Sequence, residues 1–418
     1  MIQRKFLKSI LLFTLVFLYS TSVICQKTNK DQKNSPQLRK KDSIVVGANQ
    51  TEKYLDLLMG KNIAIVANNT SVIFKDDLNQ PYQHLIDSLL SLNIKIKKLF
   101  TPEHGLRGSV DAGEEINNGI DEKTGIPVVS LYGDNNNLGN NNKPSNEQLR
   151  GIDLILFDIQ DVGVRFYTYL STLHYIMEAG AENGIPVIVL DRPNPNGNYI
   201  DGPILKNEFK SFVGLHPVPI VYGMTIGEYA KMINGEKWLN NGVQCGLTVI
   251  PLKNYTHQSK YSLPLRPSPN LPNDKSINLY ASLCLFEGTN VSCGRGTEMQ
   301  FQIFGSPSLP KDTYKFTFTP QPNFGSKTPK HMGQECYGLD LSKTKNLDYL
   351  NFSWLIDAYH ATSKKDKFFR EKSFNLLAGT DKLKEQIEQG LNFKDIKESW
   401  QKDLESFRTI RERYLMYP

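Results

Sequence analysis

The stretch GIDLILFDIQDVGVRFYTY, residues 151–169, decides the fold. Residues 153–157 form a short apolar run. A polar, glycine-bearing turn follows, and from Tyr169 to Asn183 the apolar spacing is helical. The punctuation Asn183-Gly184-Ile185-Pro186 then leads into a second apolar run at 186–190. A strand apolar on both faces, a helix and another such strand make a βαβ unit, which belongs in a buried parallel sheet. Working outward, runs of the same kind occur at 62–67, 94–100 and 128–132, with helical patterning at 81–92 and, briefly, 146–150. The fold class expected is α/β, a mostly parallel open sheet with helices on both faces.

Beyond about residue 245 the texture changes. One more strand is expected at 247–252, prolines crowd at 264, 267, 269 and 272, strands are expected at 301–304 and 314–318, and the tail from Tyr349 is helical, ending in an amphipathic segment at 393–414. This reads as a smaller α+β C-terminal domain. The division expected is a signal peptide at 1–25, a disordered spacer at 26–42, an α/β domain at 43–245 and a C-terminal α+β domain at 246–418; the resemblance given below makes the first domain Rossmann-like and has the second complete the cleft. Residues 134–143, rich in asparagine, are expected to form a surface loop.

The composition of the 418 residues, 39% hydrophobic and 22% charged, is that of a globular protein. Its net charge of +6 is misleading, because residues 1–25 carry +3 and residues 26–42 carry +4, leaving −1 for the remainder. A basic nucleic-acid footprint is therefore absent from the body. Arg4, Lys5 and Lys8 precede an apolar run at 10–19, too short for a bilayer span, so export to the periplasm or the outside is expected. Cleavage after Cys25 and lipidation of Cys25 both fit; soluble export is preferred, and membrane attachment follows only if Cys25 is lipidated. Cys245, Cys284, Cys293 and Cys336 show no zinc spacing and are free or bridged.

In an open parallel sheet, ligands bind at the carboxyl ends of the strands. Those ends carry Glu103, His104 and Arg107 in one segment, Asp158, Gln160, Asp161, Arg165, Tyr167 and Tyr169 in another, and Asn194 in a third. The glycine-laced stretch 287–298 adds Glu287, Asn290, Arg295 and Thr297. GxGxxG and GxxxxGK[ST] are both missing, which argues against a nucleotide cofactor. No metal-ligand spacing and no GxSxG elbow is present. Carboxylate chemistry remains, with Glu103 as the leading catalytic residue and Asp158 and Asp161 as either catalytic groups or helix caps. His104 suits an orienting or substrate-bonding role.

The phrases TPEHGLRG (101–108), DIQDVGVRFYTY (158–169), LDRPNPNG (190–197), SPNLP (268–272) and EGTNVSCGRGTE (287–298), with RYLMY at 413–417, resemble in order those of the bacterial exo-β-N-acetylmuramidases of the NamZ type. Val291 and Cys293 depart from that family's more usual EGTN-LSEGRGT. The resemblance implies a Rossmann-like domain joined to a smaller one, an active site in the cleft between them, and release of N-acetylmuramic acid from non-reducing ends of peptidoglycan fragments without a cofactor. It maps the family's recurrent glutamate onto Glu103, expected to protonate the leaving oxygen. Asp158 or Asp161 would be a base, a stabiliser of the oxocarbenium or a support for the acetamido group. The lactyl carboxylate of the sugar calls for Arg295, Arg165 or Arg107. Its N-acetyl group calls for Asn290 or Tyr167, and its ring for Tyr167, Tyr169 or Tyr132. The alternatives are a non-catalytic muropeptide-binding protein and an amidase or esterase acting on cell-wall fragments.

Overall fold

Residues 43–106, 118–132 and 142–418 are described by a computed structural model. The expected leader, the spacer and most of the asparagine-rich loop lie outside these residues, as does Arg107. Strands β1 (Ile63–Ala67), β4 (Ile96–Thr101), β5 (Gly119–Ile120), β6 (Pro127–Ser130), β7 (Leu154–Asp158), β8 (Val187–Leu190) and β9 (Leu247–Ile250) form one seven-stranded sheet. Its order is β5-β6-β4-β1-β7-β8-β9, and every pairing is parallel except β5 with β6. The expected α/β sheet is present.

Side-chain alternation divides the core in two. Ala64, Val66, Ile155, Phe157, Val187 and Val189 face one apolar cluster; Ile63, Ile65, Leu154, Leu156, Ile188 and Leu190 face the other. Helix Leu85–Ser91 covers the second face through Leu85, Ile86 and Leu89. Helices α1 (Tyr169–Glu182) and α2 (Ile226–Gly235) cover the first through Leu173, Ile176, Met177, Tyr229 and Ile233. Burial on both faces explains why these strands read as unbroken Val/Ile/Leu runs, and truncating one such side chain to alanine costs about 2–5 kcal/mol.

The strand expected at 247–252 is β9, which carries the large sheet past residue 245 by pairing with β8 from Val187↔Leu247 to Leu190↔Ile250. Two expectations are corrected. Residues 82–84 are not the start of a helix but strand β3, paired antiparallel with β2 (Val72–Phe74). The segment 393–414 is two helices, Phe393–Glu398 and Gln401–Glu412, with Trp400 buried between them and its indole N–H on Asp201 at 3.1 Å.

A second, three-stranded antiparallel sheet has the order β10-β12-β11, from Ile303–Ser306, Cys336–Asp340 and Phe316–Phe318. The final residues return to the large sheet. The Tyr417 hydroxyl donates to Asp191 at 2.5 Å, the strand-exit residue of β8, and the Met416 N–H donates to the buried Glu228 at 2.8 Å. Residues 44–418 thus form one compact unit. No helix among the described residues is long and apolar enough to cross a membrane.

Candidate active site

β4 ends at Thr101, and Pro102 stops it from continuing. His104 (φ 72°) and Gly105 (φ 75°) are both left-handed, so the chain reverses at once and leaves Glu103 at the turn. Thr168 occupies the N-cap of α1, yet its hydroxyl does not cap the helix; it donates to Glu103 Oε2 at 2.7 Å. The Tyr132 hydroxyl also bonds to Glu103, and burial together with that carboxylate holds the phenol well above its ordinary value. Glu103 therefore sits half-buried between two hydroxyls.

Glu103, Tyr132, Phe166 and Thr168 line a cavity of about 530 Å³, to which the second half of the chain contributes Tyr280, Glu287, Arg295 and Lys330. That volume suits a small organic ligand. A recess of about 40 Å³ is lined by His104 and Tyr167 together with Glu103, Thr168 and Arg295. The stretch 287–298 is held open by glycines flanking Arg295. Gly294 (φ 83°) has no room for a Cβ, which would lie 2.7 Å from the Met299 carbonyl, and Gly296 (φ 77°) would place one 2.5 Å from Pro329. So aimed, the Arg295 Nε donates to Glu287 Oε1, and the guanidinium lies over the Phe301 ring, 5.3 Å from its centroid. Cys284 and Cys293 approach the same Glu287 carboxylate at 3.6 and 3.9 Å. Burial pushes both thiols up, that of Cys293 to about 12, so they remain neutral S–H donors, and all four described cysteines are free. Lys330 ties the loop from behind, donating to the carbonyls of Phe286, Thr289 and Val291 at 3.0, 2.5 and 2.9 Å, and burial pulls its amine down to about 8.

The structure brings Glu103, His104, Tyr167, Glu287 and Arg295 to these two cavities. Asp158, Gln160, Asp161, Arg165, Tyr169, Asn194, Asn290 and Thr297 line neither cavity. Asp158 is fully buried, with Arg192 Nε on Oδ1 at 2.6 Å and Arg192 Nη2 on Oδ2 at 2.8 Å, a bidentate pair that consumes the carboxylate. Asp161 is buried too, accepting from the Gly163 N–H at 2.7 Å and from the Tyr222 hydroxyl, and burial raises its carboxyl to about 6. The guanidinium of Arg165 donates to four backbone carbonyls, those of Pro203, Val218, Leu377 and Ala378. Gln160 bridges the carbonyls of Asp161 and Pro193, and Asn194 donates to that of Met224. Tyr169 donates to the Pro267 carbonyl at 3.1 Å and accepts from Asn68. Thr297 donates to the Gly294 carbonyl at 2.7 Å, which shapes the loop. The Asn290 carbonyl accepts from His331 at 2.6 Å, and its side chain lines neither cavity. Neither Asp158 nor Asp161, expected as catalytic groups or helix caps, shares the cavity with Glu103; the carboxylate that does is Glu287.

Sequence reading did not single out Phe212, Lys330 or Arg370, all of which line the larger cavity. Phe212 packs against Tyr132 with ring centroids 5.7 Å apart and the rings tilted by 50°. None of the three lies in any of the phrases quoted above. Thr168, by contrast, stood within a quoted motif and carried a signal, a hydroxyl at a helix start. Among the described residues no group of three or more His, Cys, Asp or Glu side chains could hold a metal ion.

Two family models cover the chain: the N-terminal part of the exo-β-N-acetylmuramidase NamZ matches residues 63–275, and its C-terminal part matches residues 278–417. The chain is 38% identical to the peptidoglycan β-N-acetylmuramidase NamZ of Bacillus subtilis (strain 168), over 98% of this chain and all of that protein. Among solved structures, it resembles two DUF1343 family proteins of Bacteroides fragilis. One shows 45% identity and a TM-score of 0.79, covering 90% of this chain and 99% of the other. The second shows 27% identity and a TM-score of 0.76, covering 90% and 100%.

Proposed function

The chain belongs to the exo-β-N-acetylmuramidase NamZ family, and we propose that it is an exo-acting glycoside hydrolase releasing N-acetylmuramic acid from the non-reducing ends of peptidoglycan fragments. One observation carries the chemistry: Glu103 and Glu287 line a single cavity of sugar size, each held by its own partners. Glycoside cleavage needs a proton at the leaving oxygen and negative charge or a base near the oxocarbenium that forms. Glu103 supplies the proton, oriented by Thr168 and Tyr132. Glu287, ion-paired with Arg295, stabilises the cationic sugar or activates the water that attacks it. Tyr132 and Phe212 give the ring an aromatic face. The basic n-region and apolar run at the start of the chain support action outside the cytoplasm, where this polymer lies.

The test is incubation with chromogenic β-glycosides of N-acetylmuramic acid and of N-acetylglucosamine. Release of chromophore from the first and not the second is expected. Tight binding without release would make the protein a muropeptide receptor, and release of peptide or acyl groups without a new reducing end would make it an amidase or esterase.

A further inference from the structure

N-acetylmuramic acid differs from N-acetylglucosamine by a lactyl ether that ends in a carboxylate, so a site that selects the first should offer that carboxylate a cation. Three cationic side chains line the larger cavity among the described residues: Arg295, Lys330 and Arg370. Arg295 is neutralised by Glu287. Lys330 spends its three N–H donors on three loop carbonyls. Arg370 stands at the N-cap of helix Glu371–Ala378, anchored only through its main chain, its N–H on the Gly288 carbonyl at 2.8 Å and its own carbonyl accepting from Phe374 at 2.9 Å. Its side chain is exposed, and its guanidinium has no hydrogen bond or ion pair among the described residues. The surroundings register the uncompensated charge: after burial, Arg370 is among the causes that lower both Lys330 and His331. A planar fork with idle donors, on the wall of a cavity whose other cations are engaged, is a carboxylate receptor.

We propose that Arg370 binds the lactyl carboxylate of the bound sugar and so sets selectivity for muramic over glucosamine residues. The inference rests on the proposed function and assigns a residue that no family phrase contains.

The experiment compares the wild type with Arg370→Met and Arg370→Lys on three chromogenic glycosides: N-acetylmuramic acid, its lactyl methyl ester, and N-acetylglucosamine. One charge-assisted fork is worth roughly 10–100-fold in kcat/KM. The wild type should lose that factor between acid and ester. Arg370→Met should lose it on the acid, mainly through KM, and change the ester by less than about twofold; Arg370→Lys should fall between, keeping charge without the fork. Equal losses on acid and ester would overturn the assignment while leaving the muramidase reading intact. If the wild type cleaves none of the three, the muramidase reading fails, and calorimetric titration with free N-acetylmuramic acid decides the assignment: binding weakened in Arg370→Met supports it, whereas binding unchanged or absent in the wild type overturns it.

Discussion

Two sets of polar residues meet at the carboxyl edge of the large sheet, and they have opposite fates. At the exits of β7 and β8, Asp158, Asp161, Arg165, Asn194 and Asp191 are buried, and hydrogen bonds to neighbouring chain engage each of them. At the exit of β4 and in the loops of the second half, Glu103, Glu287, Arg295 and Arg370 face a cavity. The first set holds the two halves of the chain together: Arg165 alone reaches from the carbonyl of Val218 to those of Leu377 and Ala378. The second set is left facing the space a substrate would fill, and it is there that we propose the chemistry. A charge buried among chain partners serves the fold, whereas one that faces a cavity is placed to act on a substrate.

Exchanging one carboxylate of each set for its amide should separate the two roles. Asp158→Asn removes the counter-charge of the buried Arg192 and should cost about 3–5 kcal/mol of stability. Its melting temperature should fall by several degrees, while kcat per folded molecule stays close to the wild-type value; a cold loss of kcat with unchanged melting would move Asp158 into the second set. Glu287→Gln should do the reverse. Loss of that carboxylate should lower kcat roughly 100-fold on the muramic glycoside, with little change in melting. A smaller effect sharpens the boundary of the first set. Glu178 is held down to about 2, first by the hydrogen bond from His174 and then by Lys143. A carboxyl depressed on folding adds stability above its unfolded value, about 4.5, and that contribution is lost as pH falls toward 2. Glu178→Gln should therefore flatten the decline of melting temperature between those pH values and leave activity at neutral pH unchanged.

Much of the fold was legible because β1, β7 and β8 are buried on both faces and leave continuous apolar runs in the sequence. The two-residue strand β5 and the hairpin of β2 and β3 are too short, and too exposed, to leave such a pattern. Glu103 was legible because a proline, a glycine and a strand exit surround it. Asp158 misled for the same reason. Its position marks a ligand edge, but nothing local announces that Arg192, 34 residues on, takes both oxygens. Phe212 and Arg370 reach the cavity through the return of distant loops and helices, which no local spacing records.

The central claim, that the cavity-facing Glu103 carries the proton for glycoside cleavage, is tested most directly by turnover of the β-N-acetylmuramic acid glycoside by Glu103→Gln, with melting temperature measured on the same sample. A loss of kcat of at least about 1,000-fold is expected, with melting within about two degrees of wild type. Turnover near the wild-type rate by a folded Glu103→Gln protein would contradict it.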